Sequence, residues 1–114
     1  MEISFRTNKL CKECNDYTKL VKRYGPRCAK RIRHRLDELA DVDCLDDIRR
    51  LPQARCHELE GNRKGQLAVD LEHPRRLVFS PDHDPIPSKS DGGLDWKAVS
   101  AIMVLRVEDY HGKR

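Results

Sequence analysis

ARCHELEGNRKGQLAVDLE, residues 54–72, is where the periodicity of the chain changes. Polar and apolar residues alternate on both sides of Gly61-Asn62-Arg63-Lys64-Gly65, whose glycines supply the backbone freedom of a tight connection. Two antiparallel strands are predicted. RRLVFS, residues 75–80, follows the His73-Pro74 corner as a third strand. AIMVLRVEDY, residues 101–110, is the longest β-like run. It sets Ile102 and Val104, in phase with Arg106, on one face and Met103, Leu105 and Val107 on the other, the pattern of a central strand. Between these two, PDHDPIPSKSDGGLDW reads as a long loop of prolines, glycines and turn formers, a length usually functional or disordered.

Upstream of the hairpin the period is helical. After a short strand at Glu2 to Arg6, Leu10, Cys14, Tyr17, Val21 and Tyr24 are spaced as one helix face. Thr7 or Asn8 is placed to cap its start, and Gly25-Pro26 ends it. Pro26 suits the first turn of a second helix, whose apolar stripe is Cys28 or Ala29, Ile32, Leu36 and Leu39. Its other faces carry Arg27, Lys30, Arg31, Arg33, His34 and Arg35. Residues 41–53 read as an acidic connection with one short helical turn. The predicted architecture is α+β, a helical hairpin packed on a small antiparallel sheet, with residues 1–114 forming a single domain.

Charge is unevenly distributed. The net charge of +4 is a weak argument for a polyanionic partner, but between Lys22 and Arg35 stand seven basic side chains and no acid. A solvated helix normally uses i,i+4 pairs of opposite sign, so this band favours a polyphosphate surface over a merely solvated face. No apolar run approaches the ~20 residues that span a bilayer, and MEISFRTNK lacks the apolar segment of a signal peptide. The expectation is a cytoplasmic protein with no membrane partner. Five cysteines, an odd number without an export signal, suggest reduced thiols. Cys11-x-x-Cys14 has zinc spacing, yet Cys14 belongs to the apolar stripe, so buried thiols are favoured and neither metal nor cofactor is expected.

Candidate chemistry gathers in the strand half: His57, Arg63, Lys64, Arg75, Arg76, Arg106, Asp109, Tyr110 and His111. If the strands bearing His57 and Asp109 to His111 lie close together, imidazoles, guanidinium and ammonium donors and a phenol converge without a carboxylate cluster for Mg²⁺. That set suits metal-independent cleavage of RNA, which needs a base for the 2′-hydroxyl, cations for the phosphate and an acid for the departing 5′-oxygen. Each residue also has a plain structural use: His57 on a polar strand face, Arg63 and Lys64 as solubilising turn charges, Arg75 and Arg76 as edge protection, and Tyr110 as a cap on the core.

Taken in order after two helices, HELEGNRKGQLAV, RRLVF and VLRVEDYH resemble the HigB branch of the RelE/ParE toxin superfamily. The shared features are a His-x-Leu strand, a Gly-x-Arg-Lys-Gly turn, an Arg-hydrophobic-x-Phe strand and a closing Asp-Tyr-His. The resemblance implies a RelE-like fold and the toxin of a bacterial type II toxin-antitoxin pair, a ribosome-dependent endoribonuclease acting on messenger RNA. Its implied partners are the ribosome, messenger RNA and a cognate helix-turn-helix antitoxin of the HigA kind. It would make His57, Asp109, Tyr110 and His111 catalytic, with His57 or His111 as base and the other as acid. Asp109 would orient an imidazole or a nucleotide, and Tyr110 would stack on a base or bond near the phosphate. Arg63, Lys64 and Arg76 would hold phosphate or ribosomal RNA, to which the basic helix would add Arg27, Lys30 and Arg31.

Two departures stand beside the resemblance. The loop from Asp82 to Ala98 is longer than the usual turn, covering the site or contacting a partner, and Gln66-Leu67-Ala68 replaces a segment often aromatic in relatives. The superfamily also contains ParE-like members that poison DNA gyrase by binding, and an inactive module that binds antitoxin and DNA is a third reading.

Overall fold

Asp16 divides the first helical segment in two. The computed structural model describes residues 1–109. Strand β1 (Glu2–Phe5) leads into helices α1 (Asn8–Cys14) and α2 (Tyr17–Tyr24), where the spacing predicts one helix. Thr7 caps α1 through a 3.1 Å bond from the Leu10 amide, while Asp16, in extended backbone, accepts from the Lys19 amide at 3.3 Å and starts α2. The break shifts the buried phase: Leu20 is fully buried, whereas Tyr17 is 48% exposed. Asp16→Ala is expected to lower stability by about 1 kcal/mol, read by urea denaturation, because it removes the cap of α2.

Helix α3 (Pro26–Asp41) begins at the predicted proline, after Gly25 at φ 86°, a backbone region that a side chain would strain. Cys28, Ala29, Ile32, Leu36 and Leu39 form its buried stripe, as their spacing predicts. Arg35 departs from expectation: it too is buried, 3% exposed. The acidic connection contains two 3-10 turns, Leu45–Arg50 and Pro52–Ala54, which bury Leu45, Ile48 and Ala54.

The remaining strands are β2 (His57–Glu58), β3 (Leu67–Asp70), β4 (Arg75–Pro81) and β5 (Ala101–Asp109), forming a five-stranded sheet in the order β1-β5-β4-β3-β2. β5 lies inside the sheet, as its composition predicts. The expected all-antiparallel sheet is corrected to a mixed one, because β1 pairs with β5 in parallel. β2 to β5 alternate in direction through local connections, and the helices carry the chain across from β1 to β2. No local period encodes the direction of so distant a pairing.

A bulge corrects the expected facing of β5. Val78 pairs with Arg106 but Phe79 with Val104, so Leu105 is the extra residue. Val107 rather than Arg106 therefore follows Ile102 and Val104 onto the helix-covered face, where they pack with Leu77 and Phe79 against the stripes of α2 and α3. On the opposite face a smaller cluster of Leu59, Ala68 and Val78 packs with Leu105. The 82–98 segment is anchored at its end by Trp96, whose indole donates to Glu58 at 2.8 Å under the Arg49 guanidinium, 3.8 Å from the ring. Among the described residues, no helix is long and apolar enough to cross a membrane.

Candidate functional site on the open sheet face

Cross-strand partners share a face. His57 pairs with Ala68, Ala68 with Val78 and Val78 with Arg106, so His57 and Arg106 belong to the face bearing the smaller apolar cluster. One row further along, Asp70 pairs with Arg76 and Arg76 with Glu108. The helical layer occupies the other face, leaving this one to the turn between β2 and β3.

The His57 ring is half-buried, with Nδ1 2.7 Å from the Arg55 carbonyl oxygen. A carbonyl only accepts, so Nδ1 carries the proton and, in the neutral ring, Nε2 keeps an acceptor lone pair. Arg55 sits at φ 47°, a left-handed conformation that costs a non-glycine residue on the order of 1 kcal/mol. This strained residue fixes the tautomer of the candidate base. His57, Asn62, Arg63 and Arg76 line one cleft of about 680 Å³, together with the carboxylates Glu58 and Glu60. Three sequence-predicted site residues, His57, Arg63 and Arg76, are thus brought together.

The rest are not. Lys64 lines a separate cavity of about 350 Å³, walled by Ile86, Ser88 and Leu94 of the 82–98 segment. That segment therefore borders the Lys64 side of the turn. Asp109 is opposite Arg75 on β5, and β3 and β4 stand between it and the strand of His57, about 14 Å of sheet at ~4.8 Å per step. The expected closeness of the β2 and β5 strands is corrected accordingly. Tyr110 and His111 lie outside the described residues.

The basic run is also corrected. Arg23 pairs with Glu13, Arg27 with Glu72, Arg33 with Asp37 and Arg35 with Glu38, so four of the seven cations have acidic partners. Glu13 and Glu72 come from other elements, whereas Asp37 and Glu38 are the i,i+4 and i,i+3 partners of Arg33 and Arg35 on the same helix. Arg27, Lys30 and Arg31 are exposed on α3, in the layer across the sheet from the His57 cleft.

Glu108 is the site residue that the sequence reading missed. Its carboxylate accepts from Arg63 Nη1, from Arg76 Nε at 2.8 Å and Nη2 at 2.7 Å, and from Arg106 Nε at 3.0 Å. Arg106 is also tied to Gln66 at 2.8 Å. Burial alone would raise the Glu108 pKa, but the hydrogen bonds from Arg76, Arg106 and Arg63 prevail and bring it from 4.5 to about 2. The signal available was an acid two residues from Arg106 on one strand face, since a half-hidden charge requires partners.

The depressed pKa sets a pH dependence. A carboxyl with a folded pKa below its unfolded one stabilises the protein above the unfolded value and loses that contribution as pH falls through the folded one. Wild type is expected to exceed Glu108→Gln by on the order of 2–3 kcal/mol at pH 6, with the gap closing between pH 4.5 and about pH 2. Urea denaturation of both proteins across this range measures it.

Burial pushes the Cys14 thiol up to about 11 and the Cys56 thiol up to about 12, so both stay protonated and unreactive near neutral pH. Among the described residues, no group of three or more His, Cys, Asp or Glu side chains is placed to hold a metal ion. No family model, no curated protein and no solved structure matches the chain.

Proposed function

We propose that the protein is a HigB-like toxin of a bacterial type II toxin-antitoxin pair, a cytoplasmic endoribonuclease that cuts messenger RNA on the ribosome without a metal ion. The observation that carries this reading is the His57 ring, with Nδ1 bonded to the Arg55 carbonyl and Nε2 left as an acceptor, in one open cleft with Arg63 and Arg76. An α+β fold with helices on one sheet face and the HELEGNRKGQLAV and VLRVEDYH motifs support the RelE-like assignment.

In this mechanism Nε2 of His57 takes the proton of a ribose 2′-hydroxyl. The oxygen attacks the adjacent phosphorus, the bond to the 5′-oxygen breaks, and the products are a 2′,3′-cyclic phosphate and a 5′-hydroxyl. Arg63 and Arg76 offset charge developing on the phosphate. On the resemblance alone, since both lie outside the described residues, His111 is assigned as the acid that protonates the leaving oxygen and Tyr110 as a group that stacks on a neighbouring base. Asp109 orients a nucleotide rather than His57, in keeping with the strands between them. A helix-turn-helix antitoxin is the assigned partner.

A reconstituted translation reaction with a defined message tests the chemistry. The expected products carry 5′-hydroxyls, labelled by polynucleotide kinase without prior phosphatase treatment, and 2′,3′-cyclic phosphates. Uncut message, or 5′-phosphate ends, would overturn the assignment.

The exposed cations of α3 have a smaller assigned role, contact with ribosomal RNA. Lys30→Ala/Arg31→Ala is expected to weaken ribosome binding and reduce its log-log salt slope by about 1.5, leaving cleavage at saturation unchanged. Sedimentation with ribosomes at several salt concentrations reads both quantities.

A further inference from the structure

We propose that Glu108 is a positioning residue that sets both the placement and the net charge of the guanidinium cluster beside His57; this rests on the nuclease reading above. Three elements deliver the cluster. Arg63 comes from the 3-10 turn Gly61–Arg63, Arg76 from β4 and Arg106 from β5. The Glu108 side chain is 8% exposed, whereas Arg63, Arg76 and Arg106 are 24%, 17% and 31% exposed, so the carboxylate lies beneath and the guanidiniums above.

The turn bearing Arg63 depends on this contact. Gly61 and Gly65 flank it at φ 69° and 95°, and Gly61, Asn62, Lys64 and Gly65 are all exposed. The bond from Arg63 to Glu108 ties this glycine-bounded turn to an inner strand 45 residues away in sequence. Without the carboxylate, three like charges would repel and Arg63 would leave the cleft wall.

The charge of Glu108 gives this role a signature that a neutral contact lacks. Its carboxylate meets three guanidiniums, and Glu58 and Glu60 line the cleft beside Arg63 and Arg76, so removing the Glu108 charge adds to the positive charge offered there. Two of the three arginines line the cleft with His57. In-line attack on a phosphodiester passes through a phosphorane bearing up to two negative charges, which the guanidiniums of Arg63 and Arg76 complement.

The test compares wild type, Glu108→Gln and Glu108→Asp at a temperature where melting curves show each folded. Steady-state cleavage of ribosome-bound message gives kcat and KM, and filter binding of a single-stranded RNA oligonucleotide at several salt concentrations gives the electrostatic slope. Glu108→Gln is expected to lower kcat at least tenfold while binding RNA more tightly, with a log-log salt slope steeper by about 0.7 for the added cation. Glu108→Asp keeps the charge, so its slope should equal wild type while kcat falls less; it also serves if the glutamine variant does not fold. A folded Glu108→Gln with wild-type kcat, or one whose kcat and affinity fall together with an unchanged slope, overturns the inference while leaving the nuclease reading standing. A wild type that cuts no message overturns both.

Discussion

Arg35→Ala is expected to cost about 3–5 kcal/mol and to lower the melting temperature by roughly 10–20 °C. Arg35 projects from α3 into a nearly closed site, where Nε donates to the Asp70 carbonyl at 2.7 Å and Nη2 to the Gln53 carbonyl at 3.0 Å. Nη1 meets Glu38 at 2.9 Å. One side chain therefore joins the helical layer, the 3-10 turn Pro52–Ala54 and the end of β3. Alanine leaves two carbonyls without their donor and Glu38 without its cation, beside a void. Arg35→Lys keeps the charge but not the planar fork, so its cost should fall between alanine and wild type. With total stability for such domains near 5–15 kcal/mol, the alanine variant should be close to unfolding at 37 °C. Thermal melts of the three proteins decide the matter; an alanine variant within 1 kcal/mol of wild type would contradict the assigned role.

His57→Ala should have the opposite profile. A positioned general base contributes ~10²–10⁴-fold, so cleavage should fall by that factor. The ring is half-buried at the sheet edge, and among the described residues its side-chain hydrogen bond is to the neighbouring Arg55 carbonyl, so the melt should move little. His111→Ala is expected to lose activity comparably as the acid. Wild-type cleavage in both variants would remove the acid-base assignment. Loss of folding together with activity would instead return His57 to an ordinary strand residue.

Local patterns made much of the fold readable. The hairpin around Gly61 to Gly65, the stripe of α3 and the interior place of β5 each rest on residues within a few positions of one another. Where the reading failed, a distant or concealed partner was responsible. Asp16 is a capping residue within an apolar period that runs through it unbroken, so the split between α1 and α2 did not register. Arg35 looked exposed because it is charged, although it adjoins the stripe of Ile32 and Leu36 and finds its partners 18 and 35 residues away. The bulge at Leu105 reversed the phase of β5, which strict alternation cannot foresee. For the site, the motif order identified His57, Arg63 and Arg76, which share a cleft. It assigned Lys64 to the same group because it is next in sequence, but the turn directs it into another cavity. Glu108 was passed over because an acid is not an obvious member of a phosphate site; its value appears only once three arginines from separate elements surround it.

Induction of the wild type and of His57→Ala/His111→Ala in bacteria, with RNA ends mapped across the transcriptome and gyrase supercoiling assayed in parallel, tests the nuclease reading most directly. The expected result is cuts confined to translated reading frames in the wild type and absent from the variant, with supercoiling unaffected. Intact messages alongside inhibited gyrase would contradict it and assign the protein to the gyrase poisons, while no effect on either would reduce it to a binding module.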